Sequence, residues 1–309
     1  MNGKGFIPTP IEIKKDQFRL ASFGAPTIDW STPYHVPATL VQKNQDGSSS
    51  CTGQATCYYC EVLDQIEQNE SEIYSPRYLY SQTTLGYGQG TYIWKPMKLT
   101  LNGIKLEQDV PGGAQTEAIM IDPSDNQKGK LVDKTDKYAQ IPRGSMDELA
   151  QIIKDYHGFV TGFNGSDDMF DSQGMVIKWS KNEWGHAVYV CGYEMRNGKK
   201  CLKFKNSWGS GWGDNGYGYF PEEFVNSGMV YDAYVFATIQ DLDPTSMNNR
   251  FVKVNTDVWL VKDGKRSLVY NALAFELISG EWDKIETITQ AMLDAIPDTG
   301  KVIAGLSQE

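Results

Sequence analysis

The stretch KFKNSWGSGWGDNGYGYF, residues 203–220, decides how the rest of the chain is read. Its first residues alternate polar and apolar side chains, as a half-buried strand does. After Asn206 that period is lost. Five glycines and five aromatic residues share the next fourteen positions, so tight turns packed around rings are expected. Upstream, HAVYVCGYEM and KKCLKFKN flank Arg196-Asn197-Gly198. Asn-Gly between two alternating runs is a hairpin signal, because both residues accept the positive φ of the tight turn. Counting from that turn places Cys191 opposite Phe204 and Cys201 opposite Glu194, so no disulfide is expected between the two cysteines.

The chain has only three histidines, His35, His157 and His186. His35 lies among prolines, and His157 ends a predicted helix before Gly158. His186 opens the apolar strand and follows Gly185, which leaves room beside the ring. On the other side of any such chemistry stands Cys51. It sits where the loop Asp46-Gly47-Ser48-Ser49-Ser50 runs into a helix-patterned segment, TGQATCYYCEVLDQIEQ. A thiol at a helix N-terminus meets unpaired amide donors and the positive end of the dipole, which favour a thiolate. The backbone amide there also supplies one donor to a developing oxyanion. The side-chain amide of Gln45, six residues upstream, offers a second.

His186 follows Cys51 by 135 residues and Asn206 follows it by 155, close to the spacing of roughly 130–150 residues in papain-type enzymes. The strings agree with the spacing. QKNQDGSSSCTGQA resembles the nucleophile segment of the papain-like cysteine peptidase family, GHAVYVCGYE its histidine strand, and residues 203–220 its asparagine segment. APTIDW resembles the start of the mature enzyme, and GQGTYIWKPMKLTLNGI one wall of the cleft with the helix after it. The resemblance implies an α+β, two-lobed fold: a helical lobe, a β-barrel-like lobe and a cleft between them. It implies Cys51 as nucleophile, His186 as base, Asn206 as the group that holds the imidazole, and Gln45 as part of the oxyanion hole. Gly88, Gly90 and Trp208 are expected along the substrate cleft, with Trp208 also shielding the His–Asn hydrogen bond from water. The reaction implied is acyl transfer to sulfur followed by hydrolysis, on a protein or peptide substrate, with no metal and no cofactor. The chain departs from the family pattern at Thr52, where Trp is usual, and at Ser48, where a disulfide-forming Cys is usual. Around Cys51 it is closer to prokaryotic and phage-type members.

Two other readings stay open on the sequence: a papain-fold structural or adhesive part of a virion or cell-surface assembly, and a peptidoglycan-peptide hydrolase. The expected organisation is an arm over residues 1–23, the peptidase domain over 24–240, a linker over 241–250 and a small α+β module over 251–309. The arm is short for a blocking pro-segment, and it is expected to lie near the cleft. In the module, VWLVKDGKRSLVY reads as a hairpin turning at Asp263-Gly264, followed by short helices near 271–279 and 289–296. The module loosely resembles small domains appended to bacterial surface and phage-associated proteins, which implies a docking partner. Further helices are expected over Trp94–Leu101, closed by Asn102-Gly103, and over Met146–Tyr156, leading into a strand at Gly158–Phe163.

Composition bounds the alternatives. The 309 residues are 40% hydrophobic and 22% charged, a globular balance. Their net charge of −10 argues against nonspecific nucleic-acid binding. No run of about eighteen apolar residues suggests a membrane span, and MNGKGFIPTPIEIKKDQFRL lacks the apolar core of a secretory signal. Five cysteines, an odd and small number, argue against a disulfide framework. Cys57 and Cys60 fall inside the predicted helix and read as packed thiols. The acidic run Ser166–Asp171 lacks the spacing of a calcium loop.

Overall fold

The computed structural model describes residues 5–14, 17–21, 26–113, 115–132, 135, 137–142, 144–180, 183–228, 230–237, 247, 249–269, 272–278 and 280–303. The expected linker, 241–250, falls mostly outside them. The chain divides into two units, Met1–Pro10 with Phe23–Phe236, and Ile11–Ser22 with Ala237–Glu309.

In the first unit the helix Cys51–Leu63 is buried on every side from Cys51 to Val62. Such a helix belongs to an interior, and its polar residues must then find partners inside. Thr56 does so by donating its hydroxyl to the Thr52 carbonyl at 2.8 Å. Glu61 accepts from the Lys43 ammonium at 2.6 Å and from the Tyr74 N–H at 3.0 Å. After a π-helical turn over Asp64–Gln68 the chain leaves through Asn69, at φ 57°. The helix Pro76–Thr83, not anticipated from sequence, packs against this one. Ser75 caps it by accepting the Tyr78 N–H at 3.0 Å, and Pro76 takes a first-turn position that needs no donor. The helix Trp94–Thr100 ends before Gly103, at φ 106°. The helix Met146–Asp155 starts with a reciprocal capping box between Ser145 and Glu148 and buries Met146, Leu149, Ile152 and Ile153.

The strands of this unit are β1 (Tyr34–His35), β2 (Lys137–Gln140), β3 (Phe159–Gly165), β4 (Trp184–Arg196), β5 (Lys199–Lys205), β6 (Tyr217–Pro221) and β7 (Val230–Ala237). They form one sheet in the order β2-β7-β3-β4-β5-β6, with β1 pairing the far part of β4. The strands do not close on themselves, and the outer side of β6 is met at Tyr219 by residues 174–176, through the Val176 N–H at 3.1 Å and the Gly174 carbonyl at 2.9 Å. The β4–β5 turn has Asn197 at φ 51° and Gly198 at φ 74°. Cys201 faces Glu194, as counting from that turn gives, but Phe204 faces Val190 rather than Cys191. A register shift between Val190 and Gly192 leaves Cys191 in a bulge, which one-to-one counting cannot foresee. All five cysteines are free.

The second unit carries β8 (Arg250–Val254), β9 (Asp257–Lys262), β10 (Lys265–Val269), β11 (Glu286–Thr287) and β12 (Asp298–Ile303), ordered β11-β8-β9-β10-β12. The β9–β10 hairpin turns at Asp263 and Gly264, with φ 51° and 70°. Short helices cover Ala272–Leu277 and Gln290–Ala295. The Phe275 ring meets Phe251 at 4.6 Å in a core with Val269 and Ala274.

Candidate active site

Cys51 opens the buried helix, and the loop before it is pinned to the segment after β5. The Gln45 N–H donates to the Ser207 carbonyl at 2.9 Å, and the Ser48 N–H returns to the Gln45 carbonyl at 2.8 Å. The Ser48 hydroxyl reinforces that turn at 2.7 Å. The Cys51 sulfur accepts backbone N–H donation from Ala187 and from Gly5. Ala187 directly follows His186 on β4, so the first of these contacts seats the thiol where the histidine strand begins. Cys51 is 0% exposed. Burial pushes its thiol up to about 12, and the N–H contacts only partly oppose that. The thiolate expected at an open helix N-terminus is therefore disfavoured in this arrangement.

The His186 Nε2 lies 2.8 Å from the Asn206 Oδ1. Asn206 is fixed through its backbone. Its N–H donates to the Gly216 carbonyl at 2.9 Å, and its own carbonyl accepts from Gln42 Nε2 at 2.8 Å and the Tyr58 hydroxyl at 3.2 Å. The Trp208 ring stacks on the imidazole, with centroids 4.5 Å apart and planes 29° apart. Phe163 and Trp184 meet the imidazole edge-on at 5.6 and 6.4 Å. This enclosure keeps the His–Asn bond out of water, where it is electrostatically stronger. Gln45 is buried and held at both ends of its amide: Nε2 donates to the Ser48 carbonyl at 2.7 Å, and Oε1 accepts the Ser207 hydroxyl at 2.6 Å. Ser207 thus orients the amide, a role that its place in the Asn-Ser-Trp-Gly run did not disclose.

Residues 5–9 of the N-terminal arm run past Cys51, with the Gly5 N–H at the sulfur. The Thr91 N–H donates to the Gly5 carbonyl at 2.8 Å and the Ile7 N–H to the Thr91 carbonyl at 3.1 Å, a parallel bridge centred on Phe6. The Phe6 N–H reaches the Gly185 carbonyl at 3.3 Å. The Thr9 N–H is bound by the Asp232 carboxylate at 2.5 Å. The Phe6 ring is 4% exposed and fills the space that a Cβ on Gly162 would occupy. Gly90 is buried with its Cα side against Gly5, whereas Gly88 is exposed and donates its N–H to Glu117 at 2.9 Å. Of the cleft residues expected from sequence, Gly90 meets Gly5 of the arm, Trp208 stacks on His186, and Gly88 does neither. Thr91, Gly162 and Gly185 also meet the arm and were not singled out from sequence. The signal for Gly162 was present, since an isolated glycine within a strand marks close approach of another group.

The other expected features lie elsewhere. His35 has its Nε2 3.5 Å from the Glu194 carboxylate, and His157, at φ 57°, accepts the Tyr189 hydroxyl on its carbonyl. Cys57 and Cys60 are buried inside the helix. In the acidic run, Asp171 accepts the Gln173 and Met175 N–H groups, holding a turn. Among the described residues no group of three or more His, Cys, Asp or Glu side chains is arranged to hold a metal ion, and no helix is long and apolar enough to cross a membrane.

Residues 25–237 match the family model described as papain family cysteine protease. Papain from Carica papaya is 29% identical over 193 residues, 62% of this chain and 53% of papain's own length, so the chain spans about half of that relative. Zingipain-2 from Zingiber officinale is 27% identical over 195 residues, covering 62% of this chain and 85% of that one. The structure of xylellain, a cysteine protease from Xylella fastidiosa, superposes with a TM-score of 0.59 at 21% identity over 77% of this chain and 96% of that one, which shows a shared fold. With more than half of its length matched by the family model, the chain belongs to the papain family of cysteine proteases.

Proposed function

We propose that the first unit hydrolyses peptide bonds through Cys51, His186 and Asn206, and that the arm holds it latent. The observation that carries this reading is the 2.8 Å His186–Asn206 contact beneath Trp208, beside a sulfur bound to the Ala187 N–H. In the reaction the Cys51 S–H proton passes to the imidazole as sulfur bonds to the substrate carbonyl carbon. The backbone N–H of Cys51 and the Gln45 amide receive the oxyanion. The imidazolium then protonates the leaving amine, and the C–N bond breaks to leave a thioester. Water attacks that thioester as the imidazole takes its proton, and the S–C bond breaks to free the acid and restore the thiol. Asn206 keeps the ring turned toward sulfur throughout. The second unit serves as a docking module for an assembly or surface partner.

The test is turnover of a fluorogenic peptide by the full chain, with a thiol-directed epoxide as the active-site label. Turnover lost in Cys51→Ala, with the fold kept, supports the reading. Absence of both turnover and label in the wild-type chain, and in a chain whose arm is loosened, overturns it. The burial of Cys51 favours one competing reading, an idle papain fold used as a scaffold. That second outcome would support it.

A further inference from the structure

We infer that Glu117 is a positioning residue that sets the distance between the nucleophile loop and the opposite wall of the groove; the inference rests on the peptidase reading above. Glu117 begins the short helix Glu117–Met120, and its carboxylate gathers donors from three separate segments. One oxygen accepts the Ser49 N–H at 2.6 Å. The other accepts the Tyr80 hydroxyl at 2.7 Å and the Gly88 N–H at 2.9 Å. Ser49 stands two residues before Cys51. Tyr80 belongs to the helix Pro76–Thr83, and Gly88 lies in the loop that runs into Gly90 and Thr91. Thr91 is the residue whose backbone pairs with an extended chain in the groove, through its N–H to Gly5 and its carbonyl to Ile7.

No disulfide ties the nucleophile loop to the Gly88–Thr91 loop, since all five cysteines are free. The loop is tied at its base, by the Leu85 N–H to the Gly90 carbonyl at 3.0 Å and the Thr91 hydroxyl to the Thr83 carbonyl at 2.7 Å, while its tip at Gly88 has open space where a Cβ would lie and is held by its N–H to Glu117. A carboxylate suits the task because both its oxygens accept and neither donates. An amide in its place presents an NH2 group to one of the backbone N–H donors, so one tether is lost. Losing it lets the wall drift from the sulfur. Any chain in the groove then loses registry with Thr91, while the His186–Asn206 pair, which Glu117 does not touch, stays as it is.

The experiment compares Glu117→Gln with the parent in two full-length backgrounds. In the otherwise unaltered chain, iodoacetamide alkylation of Cys51 reports how tightly the arm is held and needs no turnover. It should rise about tenfold, the scale of one charge-assisted hydrogen bond. In a Phe6→Ala background, where the arm is loosened, KM for a peptide should rise about tenfold with kcat unchanged. The thermal midpoint should fall by no more than about 2–4 °C, the effect of one lost hydrogen bond, whereas a residue that mainly held the fold together would lower it further. Unchanged alkylation, a fall in kcat without a change in KM, or a marked drop in the thermal midpoint overturns the inference. If no background cleaves peptide, the peptidase reading fails, and the alkylation rates alone still decide on Glu117.

Discussion

Phe6→Ala gives a direct measure of how firmly the arm closes the groove. The Phe6 ring is 4% exposed and lies against Gly162, so nearly all of its apolar surface is withdrawn from water when the arm docks. Burying a phenylalanine side chain contributes about 2–3 kcal/mol, and truncation should shift the docked-to-open equilibrium by about 30- to 150-fold. The backbone contacts to Thr91 and Gly185 survive the substitution, so the arm is loosened rather than lost. The assay is the rate of Cys51 modification by a small alkylating reagent in the full chain. When opening precedes reaction, that rate scales with the open fraction and should rise by the same factor. The pH dependence has a definite sign. Burial holds the Cys51 thiol up at about 12 against an ordinary 9.0, and whatever part of that burial the arm supplies makes the docked state keep its proton longer than the open one. Docking is therefore at full strength below pH 9 and weakens as pH rises from 9 toward 12. The advantage of Phe6→Ala over the parent should narrow across that window. A rate increase below about threefold at pH 7 would refute the reasoning, because even half of the expected burial energy gives more.

Three further outcomes follow from the same geometry. His186→Ala should abolish peptide turnover, whereas Asn206→Ala should lower kcat by a smaller factor, since the asparagine only orients the ring; equal losses in steady-state kinetics would contradict the assigned roles. Gly162→Val places a side chain where the Phe6 ring sits, so in the full chain alkylation of Cys51 should accelerate at least as much as in Phe6→Ala. Glu61→Leu leaves the Lys43 ammonium buried without its carboxylate and should cost about 3–5 kcal/mol in urea unfolding; Lys43→Met added to it should recover most of that loss.

The parts of this molecule that were legible in the sequence are those fixed by short-range rules or by a dense motif. Asn197-Gly198 and Asp263-Gly264 both turn hairpins, because both pairs sit at positive φ. The three histidines, the loop-to-helix position of Cys51 and the run after Asn206 pointed to one group of residues, of which His186 and Asn206 lie 2.8 Å apart. What stayed hidden depends on contacts between distant segments. The helix Pro76–Thr83 buries Tyr78 and Tyr80, whose hydroxyls blur the apolar period, although Ser75-Pro76 carried a start signal. The Cys191 bulge is one residue of slack that no count from a turn detects. The thiolate expected of Cys51 followed from its helix end alone, and complete burial of the sulfur reverses it. Glu117 carries no local mark at all, since its three donors come from separate parts of the chain.

The crossing point above the sulfur has no room for a side chain. A Cβ on Gly5 would overlap the Ser49 carbonyl, and one on Gly90 would overlap the carbonyl of Gly5 itself. Bare main chain passes bare main chain there, as two threads through one eyelet. The seat thus grades visitors by girth rather than by affinity. On the peptidase reading proposed above, a chain that followed the arm's pairing with Thr91 would need a glycine where Gly5 stands.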